Sequence, residues 1–128
     1  MLIGVNDAWE NYVPEDYPPL VRPMEPHIRE IYRRFKAELP NTQILYLMPF
    51  MIDAVEEKLP FHKTLDEFRE LLKNVALENG ATVLDLQKTF NEAQKNIAPK
   101  DLAIDGIHPT NLGHKVMVEA VMEMIEFC

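Results

Sequence analysis

Two short apolar runs limit what this chain can fold into. Gln43–Met48 reads Gln-Ile-Leu-Tyr-Leu-Met, and Ala81–Leu86 reads Ala-Thr-Val-Leu-Asp-Leu. The first shows none of the polar–apolar alternation of a strand with one wet face and predicts a strand covered on both faces, as in a parallel sheet; the second reads as another complete strand. Amphipathic segments lie before, between and after them. Ile28, Ile31, Tyr32, Phe35 and Leu39 recur at helical spacing, with Arg29, Glu30, Arg33, Arg34 and Glu38 on the other face. Pro40-Asn41 ends that helix. A second helix is expected from Thr64, where Thr64-Leu-Asp-Glu67 has the form of a capping box; Leu65, Phe68, Leu72, Val75 and Ala76 make its apolar face, and Asn79-Gly80 closes it. A short amphipathic stretch over Gln87–Asn96, a loop from Ile97 to Pro109 and a last helix complete the series. Thr110 or Asn111 caps that helix, and Val116, Met117, Ala120, Val121, Met124 and Ile125 form its stripe.

The chain opens on the apolar stub Met1-Leu2-Ile3, which runs into Gly4-Val5-Asn6-Asp7. The stub reads as the end of a buried strand and Asn6-Asp7 as turn chemistry. A strand with no lead-in implies that the natural domain starts earlier. Between Asn11 and Pro26 stand Pro14, Pro18, Pro19, Pro23 and Pro26, a density that forbids regular helix or central strand and predicts an ordered surface loop. The order is strand stub, helix, strand, helix, strand, helix. Such alternation implies parallel strands, right-handed crossovers and helices on both faces. At 128 residues the chain is one domain's worth, so residues 1–128 are read as a single, partial α/β domain.

Some function classes are excluded early. The net charge is −8, and Arg33-Arg34 is the main basic cluster, so a nucleic-acid or anionic-membrane surface is not expected. The longest apolar run, Ile44–Ile52, contains Pro49 and falls well short of the ~20 residues a spanning helix needs. One cysteine, Cys128, permits no internal disulfide. Nothing in the chain assigns a compartment.

Residues with chemistry collect where strands of such a sheet end: Gly4–Asp7, Pro49–Asp53 and, across the last loop, Asp105–His108. Asp105-Gly-Ile-His108-Pro109 sets an acid and an imidazole three residues apart. A tight turn at Gly106 can bring the carboxylate onto Nδ1 and leave Nε2 free as a base. The same spacing also serves a surface loop whose Asp caps backbone amides beside an idle His. Asn6, just past the stub, can aim an amide N–H into the cleft and stabilise an oxyanion, or can belong to a plain Asn-Asp turn. Trp9 can line a binding cleft or anchor the proline-rich loop. His114 with Asp105 and His108 sketches a metal site, but ligand sets need a third or fourth donor in reach, and His114 is read as packed against the loop. His27 and His62 sit at helix starts and are read as solvated.

Taken together, Gly4-x-Asn6-Asp7 and Asp105-x-x-His108-Pro109-Thr110, with Gly113-His114 behind, resemble the third and fifth sequence blocks of the SGNH hydrolases, also called the GDSL esterase/lipase family. The resemblance covers essentially the whole chain. It implies a flavodoxin-like three-layer α/β/α sandwich, N-terminally incomplete, and an ester hydrolase that works without metal or organic cofactor. By that resemblance His108 is the catalytic base, Asp105 its orienting acid and Asn6 the oxyanion-hole asparagine, with Gly4 and Trp9 at the substrate. Trp9 in that place is similar to members acting on acetylated carbohydrate.

The family's nucleophilic serine and second-block glycine have no counterpart, and the chain contains no serine at all. Thr42, Thr64, Thr82, Thr89 and Thr110 lie away from the early strand end, and Cys128 trails the last helix. The chain alone is therefore expected to be inactive. The competing reading is a non-catalytic, hydrolase-derived binding or interaction module. A stub edge left without a neighbour further predicts that the chain alone is either a homodimer through that edge or poorly soluble.

Overall fold

The computed structural model describes residues 1–12 and 24–125. Most of the proline-rich segment and Cys128 lie outside them. The elements are α1 (Val5–Asn11), α2 (Glu25–Glu38), β1 (Leu45–Met48), α3 (Phe61–Glu78), β2 (Thr82–Asp85), α4 (Leu86–Ala93), α5 (Pro99–Leu102) and α6 (Asn111–Met124), with a one-turn 3-10 helix at Glu56–Lys58.

β1 and β2 pair in parallel, Tyr46 opposite Val83 and Leu47 opposite Leu84. The N-terminal stub joins the far side of β1 by a single parallel bridge, Leu2 to Leu47, with the Leu47 amide donating to the Met1 carbonyl at 2.8 Å. Side chains alternate along the strands and so feed two cores. On one face Tyr46 and Met48 pack with Met24, Ile28 and Tyr32, around α2, and with Leu72, Val75 and Ala76 of α3. On the other, Leu47 and Leu84 pack with Leu86 and Phe90 of α4, Leu102 of α5 and Val116 and Met117 of α6. This is the expected three-layer α/β/α arrangement, and the two clusters explain why the run that forms β1 does not alternate in sequence.

Four local expectations change. Asn6 and Asp7 form the first turn of a helix, α1, because Gly4 takes a left-handed φ of 117° and its carbonyl accepts from the Ala8 amide at 2.9 Å. α2 starts at Glu25, so Pro26, counted with the segment expected to exclude helix, lies in its first turn, where a proline is tolerated because the amides lack partners anyway. α3 starts at Phe61, not Thr64, and no side chain caps it. Phe61 is fully buried, so burial of that ring, not the Thr64–Glu67 box, sets where the helix begins. The Ile97–Pro109 loop contains α5 and closes on itself through an antiparallel bridge from Ala103 to Pro109. Thr110 caps α6 as expected, its hydroxyl accepting from the Gly113 amide.

Candidate active site

The Asp105–His108 turn is built from its backbone outward. Gly106 has φ +88°, and a Cβ there would sit 2.8 Å from the Ile52 carbonyl oxygen, so glycine is required on two counts. Its own carbonyl accepts from the Ile52 amide at 2.8 Å. Asp105 then folds over the turn. Oδ1 accepts from the amides of Ile107 at 3.1 Å and His108 at 2.9 Å, and Oδ2 lies 2.6 Å from His108 Nδ1. A carboxylate can only accept, so a ring proton sits on Nδ1, and in the neutral ring Nε2 is the nitrogen with the free lone pair. The two uses imagined for this aspartate, capping amides and holding the imidazole, are both made, one by each oxygen. Partial burial pushes the Asp105 carboxyl up. The His108 ring and the two amides together outweigh that and hold it well below the usual carboxylate range. The His108 side chain is 82% exposed, so Nε2 faces the surface.

Asn6 is exposed on the first turn of α1, with no hydrogen-bond partner for its side chain among the described residues. Its neighbour Val5 and His108's neighbour Ile107 pack on one small cluster of Ala8, Met51, Phe61 and Leu65. Val5 and Ile107 also line a crevice of about 130 Å³ with Leu2, Pro49, Pro109 and His114. Val5 and Ile107, the chain neighbours of Asn6 and His108, thus share one apolar floor, which neither Asn6 nor His108 itself lines. Gly4 is buried, with Leu72 2.5 Å from where a Cβ would sit, and serves as the backbone turn that launches α1.

Trp9, 44% exposed, packs edge-on against Phe61 at 5.0 Å and beside Tyr12 at 5.7 Å. That anchors its ring on α3 and leaves one side to solvent. The Lys58 ammonium lies 5.8 Å from the same ring and donates to the Asp105 carbonyl at 2.8 Å. His114 donates from Nδ1 to the Thr110 carbonyl of its own helix at 2.9 Å, so that nitrogen is not turned toward Asp105. Among the described residues no three His, Cys, Asp or Glu side chains converge as a metal site would need.

Sequence reasoning missed three residues here. His62 is not merely solvated: its Nε2 lies 2.7 Å from Asp53 Oδ1. Gln87, a buried polar side chain, accepts from the Met51 amide at 2.9 Å and donates to the Met51 carbonyl at 2.8 Å. Lys58 is the third. A glutamine at a core position of α4 was a readable signal for the second; the other two depend on tertiary contacts.

Comparison with known proteins gives a consistent picture. The GDSL-like lipase/acylhydrolase family matches residues 1–116. An acetylxylan esterase of Geobacillus stearothermophilus is 29% identical over 132 residues, spanning 99% of this chain and 58% of that enzyme. The crystal structure of an acetylxylan esterase from that organism superposes with a TM-score of 0.78 at 30% identity, over 99% of this chain and 58% of the other. A hydrolase from the metagenome of Lake Arreo, Spain, gives 0.77 at 28% identity, over 96% and 56%. Catalytic mutants of the Geobacillus esterase replace a serine or a histidine with alanine. The chain thus spans somewhat more than half the length of these relatives.

Proposed function

The chain belongs to the GDSL-like lipase/acylhydrolase family, and on that premise we propose that it carries the acid–base half of an ester hydrolase whose serine is supplied from outside these 128 residues. The observation that carries the reading is the Asp105–His108 pair, bonded through Nδ1 with Nε2 free at the carboxyl edge. In the complete site a serine Oγ attacks the ester carbonyl carbon while His108 Nε2 takes its proton. The C=O electrons move onto oxygen, and the Asn6 side-chain N–H donates to that oxyanion. As the tetrahedral intermediate collapses, His108 returns the proton to the leaving alkoxide. Water then repeats the sequence on the acyl-enzyme. Asp105 remains ionised and holds the imidazolium. An acetyl ester on a carbohydrate is the substrate class this reading favours, because Trp9 offers a flat, half-exposed ring beside Asn6 and because the Geobacillus relative is an acetylxylan esterase.

The test is a chimera in which the uncovered N-terminal part of that esterase precedes this chain. It should hydrolyse p-nitrophenyl acetate and be labelled by a fluorophosphonate, while the chain alone does neither. A folded chimera without turnover would refute the reading. The absence of serine favours a second reading, a binding module that keeps the cleft without the chemistry. Saturable binding of acetylated xylo-oligosaccharide by the chain alone, with no turnover in the chimera, would establish it.

The same premise bears on assembly. Among the described residues no strand pairs with the outer side of the Met1–Ile3 stub, and Leu2 is exposed there. Unpaired edges template association. Sedimentation of the isolated chain should show a dimer, and a chimera whose added segment pairs with the edge should be monomeric at this surface. A monodisperse monomer of the isolated chain would exclude edge pairing.

A further inference from the structure

The Asp105–Gly106 peptide is the soft joint of the candidate site. Glycine at 106 accepts either sign of φ, so this peptide plane can flip without side-chain cost. A flip would swing Asp105 relative to the Ile107 and His108 amides and undo the carboxylate's hold on the ring. The peptide's N–H makes only a long bond, 3.4 Å, to the Ala103 carbonyl. Its C=O is held much better, accepting from the Lys58 ammonium at 2.8 Å. The next carbonyl along, that of Gly106, is fixed independently by the Ile52 amide.

Lys58 is itself well placed. It ends the one-turn helix Glu56–Lys58, in the loop that leaves β1. That loop is pinned near its start by Gln87, bonded to both polar groups of Met51, and by Gln94, whose side-chain oxygen accepts from the Asp53 amide at 3.2 Å. The Lys58 ammonium also lies 5.8 Å from the centroid of Trp9, within the range of a cation–π contact. One ammonium therefore touches α1, the helix that carries Asn6, and the turn that carries His108.

We propose that Lys58 is a positioning residue: by holding the Asp105 carbonyl it selects the peptide orientation in which Asp105 grips His108 Nδ1, and through Trp9 it ties that turn to the helix of Asn6. It touches no reacting atom and acts only through Asp105. The importance of that grip for catalysis rests on the hydrolase reading above. The grip itself can be measured without turnover.

The experiment is nitrogen-15 NMR of the full 128-residue chain, reading the ring nitrogens of His108 and the solvent exchange of its Nδ1 proton. In the wild type the Nδ1–H tautomer should dominate. Lys58→Met keeps the aliphatic stem and removes the donor. It should speed exchange of the His108 Nδ1 proton about tenfold, the scale of a lost charge-assisted hydrogen bond, and move the ring toward a mixture of tautomers. Lys58→Arg should restore most of the wild-type signature. Amide protection in α3 should be the same in all three. His108 spectra unchanged in Lys58→Met would overturn the proposal. So would a loss of protection across α3 that matches the change at His108, since Lys58 would then be holding up the fold and not the turn. A chimera that fails to hydrolyse esters would leave this outcome untouched, so the two readings fail separately.

Discussion

Among the described residues, two acid–imidazole pairs have nearly equal length and opposite construction. Asp105 meets His108 at 2.6 Å, and Asp53 meets His62 at 2.7 Å. The first pair closes within a single turn, three residues apart, and its aspartate is further loaded by two backbone amides. The second spans a loop and a helix, nine residues apart. The first binds the ring through Nδ1 and leaves Nε2, the nitrogen farthest from the main chain, on an open surface. The second binds Nε2 and leaves Nδ1, the nitrogen crowded by its own backbone, on a ring only 29% exposed. Hydrogen-bond length therefore does not distinguish the base proposed for His108 from a brace. The free nitrogen and what it faces do.

The largest expected effect follows directly. In the serine-completed chimera, His108→Ala should lower kcat by at least about a thousandfold, the range for removal of a general base. His62→Ala should change it less than about tenfold, an indirect effect through the loop. Comparable losses from both, measured as initial rates on p-nitrophenyl acetate, would break the distinction between the pairs.

The second effect is on stability. Gly106→Ala combines a left-handed φ with a methyl against the Ile52 carbonyl. The conformational term is about 1–2 kcal/mol, and displacement of backbone against backbone should bring the total to about 3 kcal/mol. Urea unfolding would read the loss. NMR should show the Asp105–His108 bond gone and the Asp53–His62 bond intact. Loss of both would mean the two pairs share one cooperative unit.

How much of this was legible in sequence depended on distance along the chain. Asp105, Gly106 and His108 sit in one turn, so spacing made the pair and its glycine legible as one of two readings, and the resemblance to a known family chose between them. Strand β1 was legible because a run without alternation is what two-sided burial demands. Asp53–His62, the Lys58 contact and the Gln87 clamp were not, because each joins elements that only the crossover brings together. Thr64–Glu67 misled for a related reason. A capping box contributes about 1 kcal/mol, while burying a phenylalanine such as Phe61 contributes about 1.5–3 kcal/mol, so the helix starts at the ring. Asn6-Asp7 carried true turn chemistry, yet Gly4 had already supplied the reversal and the following residues were free to wind.

A third test uses acid. The folded-state Asp105 carboxyl lies below its unfolded value. Its contribution to stability is therefore fully present above about pH 4, the unfolded aspartate range, and fades as pH falls through the depressed folded value. At a side chain 43% exposed, screening keeps that contribution to about 1 kcal/mol. The stability gap between wild type and Asp105→Ala should narrow as pH falls below about 4. A gap that is flat down to pH 2 would mean that the amide and imidazole bonds are not made by the ionised form.

The smallest effect sharpens the comparison most. His62→Asn removes the ring from Asp53 but leaves the loop held by Gln87 at Met51, by Gln94 at Asp53 and by the Ile52–Gly106 bond. The Asp53 carboxylate is 55% exposed, so water replaces the lost partner at little cost. The expected destabilisation is under about 1 kcal/mol. Hydrogen exchange should speed up in residues 53–60, the segment the ring pins to α3, while the Ile107 and His108 amides keep their protection on Asp105. That pattern would show the second pair to be a local clamp on a loop that is already fixed where it meets the first. If exchange at Ile107 and His108 rises in step with residues 53–60, the brace and the base are mechanically continuous. His62 would then join Lys58 as a determinant of how His108 is held.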